Sequence, residues 1–188
     1  MLPDMRRAKV PISRVLAGPY GHPYHPALVS IPIGAWVASL VFDVASHVAA
    51  KPAFLAAGSE WLIGIGIAGA VIASLAGFID LLSIPEETHA YRTASAHMVL
   101  NLLLTVVYAA GFLWRHRTYG SNAPVGMGML TLSAACIVLL TVSGFLGGRL
   151  AFRYGVRVAD EATQESGYLT RAQRESLRRG DVHELPRH

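Results

Sequence analysis

Apolar residues in this chain gather into four long runs, at about 27–49, 61–83, 96–114 and 126–148, with short polar stretches between them. The first run has 23 residues, which at about 1.5 Å per residue covers a hydrocarbon core of about 30 Å with some tilt. The pattern predicts an all-α, polytopic membrane protein: a bundle of four transmembrane helices occupying residues 25–155. Residues 1–24 form a basic, proline-punctuated lead-in without the apolar core of a cleaved signal peptide. Residues 156–188 read as a polar, partly disordered tail, with a short helix over 170–179 that begins at Thr170 as N-cap.

Four spans put both termini on one side, and the charges say which. The termini and the second loop hold 13 of the 16 Lys and Arg, whereas the first and third loops hold Lys51, Arg115 and Arg117. The positive-inside rule then places both termini in the cytoplasm, with Trp114-Arg115-His116-Arg117 as an anchor at the opposite interface. Composition agrees with the membrane reading, since 53% of residues are hydrophobic and only 15% charged. The net charge of +4 comes from residues flanking apolar helices, so it points to lipid headgroups and not to nucleic acid. A single cysteine, Cys136, rules out an intramolecular disulfide and any multi-cysteine metal site.

Within the runs, small residues and polar residues each fall in stripes. Gly66, Gly69, Ala73 and Gly77 share a face with Asp80, and Ser133, Cys136, Ser143, Gly144 and Gly147 share another. Such faces allow close approach of helices in lipid, within the chain or to other membrane subunits. His97, Asn101, Thr105 and Tyr108 form one polar stripe that should face the bundle.

The most pointed chemistry is Gly21-His22-Pro23-Tyr24-His25-Pro26 at the mouth of the first span. Topology brings His25, Asp80 and His97 into one cytoplasm-side layer, which His22, Glu86, Glu87 and His89 can join from loops. Imidazole and carboxylate ligate transition metals, and two histidines from different helices ligate a haem iron. His25 and His97 are the candidate haem b ligands, with Asn101 orienting His97; His22, His25, Asp80 and His97 are the candidate metal set. The alternative is that these groups cap helix ends and bond backbone or headgroups. Asp43, costly inside a span, lies about 27 Å from His25 along the helix. Its neighbour four residues on is His47, so the two can pair, either as a second site or proton path or to fix helix rotation.

His25-Pro26-x-Leu28-Val29-x-x-Pro32-Ile33-Gly34, Phe42-Asp43, His97-x-x-x-Asn101 and Gly147-Gly148-x-Leu150-x-x-Arg153-Tyr154-Gly155-Val156 resemble a family of bacterial membrane proteins. It is catalogued as domain of unknown function 2231, and the resemblance covers about residues 21–158. It implies a four-helix domain of the bacterial inner membrane and no established activity. Some members similar in the membrane part carry a Rieske-type iron–sulfur domain, which hints at respiratory electron transfer; here the tail after Gly155 has no cysteine to hold such a cluster. Together these features point to a redox-associated subunit that binds haem or a transition metal, an electron carrier or accessory subunit more than an enzyme. The alternatives are a cofactor-free structural or assembly subunit and a small proton or ion translocator using Asp43 and Asp80.

Overall fold

The computed structural model describes residues 3–117, 119–170, 173, 175, 178 and 179, and among these it contains helices and no strand. Three short helices lead in: α1 (Pro3–Lys9), α2 (Arg14–Ala17) and α3 (Tyr24–Leu28). Four long ones follow: α4 (Ser30–Ser46), α5 (Pro52–Leu81), α6 (His89–His116) and α7 (Met127–Gly148). A π-helical turn, Arg149–Arg153, extends α7, and α8 (Glu161–Tyr168) lies beyond it. Four helical stretches are long and apolar enough to cross a membrane: Tyr24–Ser46, Pro52–Leu81, His89–His116 and Met127–Arg153.

Local chemistry sets the helix ends. The first span breaks at Val29 because Pro32 has no N–H to offer the Leu28 carbonyl four residues back, and its ring crowds that carbonyl. Pro52 starts α5, where its missing N–H costs nothing. Thr88 caps α6 by accepting the Tyr91 N–H at 3.0 Å, so this helix starts well before its apolar residues do. Asp160 caps α8 through the Thr163 N–H at 2.8 Å. Most of the helix expected over 170–179 lies outside the described residues; at its start, Thr170 and Gln173 bond reciprocally, backbone N–H to side-chain oxygen in both directions.

The spans run up and down, with α4 against α5, α5 against α6, α6 against α7, and α7 closing the ring onto α4. The α5 stripe explains how α4 comes so close. A Cβ at Gly66 would meet the Trp36 indole, one at Gly69 would meet Ile31 and Pro32, and one at Gly77 would meet the His25 ring. These glycines are therefore used inside the chain and offer no face to another subunit, whereas Gly144 on α7 has open space beside it. At the centre, Trp36 stacks on Tyr108 with centroids 4.0 Å apart, above a core that includes Ile63, Leu104, Cys136 and Leu140. Large apolar residues such as Val41, Leu75, Val106 and Val138 point outward, as lipid contact requires.

Both terminal segments fold back on one end of the bundle, the terminal face. Arg157, 5% exposed and in the left-handed backbone region at φ 59°, gathers them. Its guanidinium donates to the carbonyls of Ala17 (2.8 Å) and Gly18 (3.1 Å), and its Nε stands 2.7 Å from Asp80 Oδ1, a charge contact not aligned for a hydrogen bond. The Arg157 N–H bonds the Ala8 carbonyl, Lys9 reaches the Ala159 carbonyl, and the Tyr20 hydroxyl accepts the Asp160 N–H. The lead-in and the segment after the last span thus make a cap over the terminal face.

Candidate functional site: a histidine pair beneath the cap

His25 and His97 come from different spans and meet with ring centroids 6.2 Å apart and planes at 90°. Each ring is seated by a glycine and tied to a carbonyl on a neighbouring helix. His25 lies over Gly77 and its Nδ1 bonds the Ala73 carbonyl at 2.8 Å. His97 lies over Gly147 and its Nδ1 bonds the Ser143 carbonyl at 2.9 Å. A carbonyl only accepts, so Nδ1 carries a hydrogen in both rings, and in the neutral form of each ring Nε2 is the nitrogen with the lone pair. Asn101 holds the second ring in place: its amide donates to Ser143 Oγ and to the His97 carbonyl, each at 2.7 Å, and lies 3.2 Å from His97 Nε2.

Asp80 shares the layer, within charge reach of His25, but its carboxylate is occupied by Arg157. His22 is exposed, its Nδ1 3.5 Å from the Tyr20 carbonyl, and Glu86, Glu87 and His89 are exposed as well. Among the described residues, no three of His, Cys, Asp and Glu lie close enough together to hold a metal ion. The structure therefore brings His25, His97 and Asn101 together and leaves His22 and Asp80 outside that group. Among the described residues, a site here offers two imidazole nitrogens and no third His, Cys, Asp or Glu ligand.

At the opposite end, the far face, Asp43 has a different partner from the expected one. His47 ends α4 in an exposed position, while the Asp43 carboxylate, fully buried, takes a two-pronged ion pair from Arg115, Nη1 to Oδ1 at 2.9 Å and Nη2 to Oδ2 at 2.6 Å. Ser59 donates to the same carboxylate, and Arg115 also reaches Ser133 Oγ at 2.8 Å. Close by, Ser46 Oγ accepts the Val125 N–H at 3.1 Å and so fixes the last loop to the end of α4. Outside this buried network, His116 on the surface pairs with Glu60 at 2.9 Å. Tyr108, whose hydroxyl has no partner among the described residues, lines a void of about 10 Å³ beside Arg115, room for one water.

Sequence reasoning passed over Arg115 because it sits in an aromatic and basic cluster that reads as an interface anchor. The signal was present: Arg115 continues the inward stripe His97, Asn101, Tyr108, Gly111 at helical spacing, and a buried carboxylate needs a cation. Asp43 and Asp80 are each held by an arginine, at opposite faces of the bundle.

A family model described as "Predicted membrane protein (DUF2231)" matches residues 21–160. No curated protein and no solved structure matches the chain. The matched region takes in all four spans, both histidines, both ion pairs and Arg157.

Proposed function

The chain belongs to the DUF2231 family of predicted membrane proteins, and on that footing we propose that it is a redox-associated membrane subunit whose His25 and His97 hold a haem iron. The observation that carries this reading is the paired geometry: two rings on different spans, 6.2 Å between centroids, each with Nδ1 committed to a backbone carbonyl. Metal-bound histidines use their second nitrogen in this way, which fixes the tautomer and leaves the other nitrogen to bind. With the rings this close, His25 and His97 are the two residues that would hold the iron.

The number of donors favours haem over a bare ion. Zinc sites draw three or four ligands from protein, and the described residues bring no such group together here. Haem iron takes its equatorial nitrogens from the macrocycle and asks the protein for axial ligands alone. Bound there, a haem would supply one-electron transfer; the chain's own part is to hold two imidazoles, orient one of them through Asn101, and shield the pair under the terminal cap. The distribution of Lys and Arg supports a bacterial inner-membrane topology with both termini in the cytoplasm, which puts the pair in the inner half of the bilayer.

The test is a reduced-minus-oxidised visible spectrum of detergent-purified protein, with iron analysis of the same sample. A haem band with one iron per chain, lost in His25→Ala and in His97→Ala while the helical signal persists, is the expected result. Colourless, metal-free protein that is fully folded would end the haem reading.

A cofactor-free structural subunit is the second reading, favoured by the same hydrogen bonds taken as ties, His25 joining α3 to α5 and His97 joining α6 to α7. The open face at Gly144 then becomes the contact with a partner. Under this reading Gly144→Leu disrupts a co-purifying complex without lowering the melting point of the isolated chain; intact association would count against it.

A further inference from the structure

The last span ends in a groove that neither of these readings uses. It has a volume of about 440 Å³ and is lined by Phe145, Gly148, Arg149, Phe152 and Arg153, where α7 passes into its π-helical turn. The wider turn is closed by the Tyr154 N–H on the Arg149 carbonyl at 3.1 Å, five residues apart. Such turns are uncommon and gather at functional sites.

Three features of the groove point to the same occupant. Arg149 and Arg153 are one turn apart, and neither has an acidic partner among the described residues. The Arg149 guanidinium lies over the Tyr154 ring at 5.5 Å, and its Nε is buried without a hydrogen-bond partner, a costly state for a charged donor. Phe145 and Phe152 are 71% and 93% exposed at the membrane end of this helix, where aromatic rings belong against lipid and not water. Cationic forks with apolar walls, at the level where a span leaves the bilayer, match a molecule that carries phosphate on hydrocarbon chains.

We propose that this groove binds an anionic phospholipid, its phosphate between Arg149 and Arg153 and its acyl chains along Phe145 and Phe152. Guanidinium suits this task because its planar set of donors matches phosphate oxygens two at a time. Basic pockets beside spans recognise anionic headgroups on this principle. The inference does not depend on a cofactor at the histidine pair.

Native mass spectrometry of the detergent-purified full chain, titrated with phosphatidylglycerol, phosphatidylcholine of the same chains, or inorganic phosphate, tests it. Phosphatidylglycerol is expected to be retained in preference to phosphatidylcholine, and the R149Q/R153Q variant to bind it about 30-fold more weakly, from two lost cation contacts. R153Q alone removes an exposed side chain and so tests the same contact without risk to folding; it is expected to lose about fivefold. R14Q/R92Q, which removes two exposed arginines elsewhere on the terminal face, is expected to leave binding unchanged. Equal retention of phosphatidylcholine, full retention of phosphatidylglycerol in R153Q and R149Q/R153Q, or displacement of the lipid by equimolar inorganic phosphate would each overturn the proposal.

Discussion

Removing Arg115 leaves the Asp43 carboxylate buried with Ser59 alone to answer it. Two charge-assisted bonds join the pair, at 2.9 and 2.6 Å, and a third holds the guanidinium to Ser133. Bonds to charged groups are worth about 1.5–3 kcal/mol each, so the two Asp43 contacts alone come to about 3–6 kcal/mol. Measured losses on breaking one partner out of a buried pair, about 3–5 kcal/mol, fall in the same range. Arg115→Met is therefore expected to destabilise the fold by about 3–5 kcal/mol. Asp43→Asn, which removes the buried counter-charge of Arg115, should cost a comparable amount. The double variant removes both charges and with them the desolvation penalty, so it is expected to be more stable than the sum of the two losses by about 2 kcal/mol or more. Reversible unfolding in mixed micelles, followed by far-ultraviolet circular dichroism, gives all four corners of the cycle. A double variant additive to within about 0.5 kcal/mol would refute the reasoning, because it would mean that the two charges do not stabilise each other.

Three further outcomes follow from contacts elsewhere. Gly66→Ala places a methyl where the Trp36 indole stands and is expected to lower the melting temperature sharply, whereas Gly144→Ala enters open space and should raise stability by up to about 1 kcal/mol; equal effects in a melting assay would contradict the packing. Arg157→Ala releases the carbonyls of Ala17 and Gly18 together with Asp80, so limited trypsin digestion should cut at Arg14 faster than in the parent, and an unchanged cleavage rate would mean that the cap is held by something else. Hydrogen bonds from Thr163, side chain first and backbone second, hold the Asp160 carboxyl below its ordinary value of 3.8. Because the folded value is the lower one, its support of α8 is present above the unfolded value and is lost as pH falls through the folded value. Amide-exchange protection in α8, measured relative to the intrinsic rate at each pH, should fall on acidification in the parent and show no such step in Asp160→Asn.

Much of this architecture can be read from the chain because lipid imposes simple rules. Runs of about twenty apolar residues have one use, and the polar stripe of α6 had to face inward, as His97, Asn101 and Tyr108 do. Helix lengths and topology placed His25 and His97 in one layer by counting alone. What counting could not supply was which polar group answers which. The i, i+4 rule offers Asp43 its neighbour His47, yet the carboxylate turns to Arg115, 72 residues away, because a doubly bonded guanidinium offsets burial far better than an imidazole at the helix end. Asp80 was legible as a layer member, but Arg157 was not legible as its partner, since a side chain that bonds backbone carbonyls leaves no periodic trace. The seats at Gly77 and Gly147 were visible as small residues; that each would receive a histidine ring depends on helix rotation, which apolar periodicity fixes loosely when every face is apolar.

The bonds from Arg157 to Ala17 and Gly18 span about 140 residues of chain. During synthesis the lead-in is made before the spans and must wait until the fourth span has been made and Arg157, the residue that secures it, follows. Closure of the cap is then the last event of assembly, and it reports on all that came before: a molecule with one span missing or reversed leaves Arg157 on the wrong side of the bilayer from Ala17.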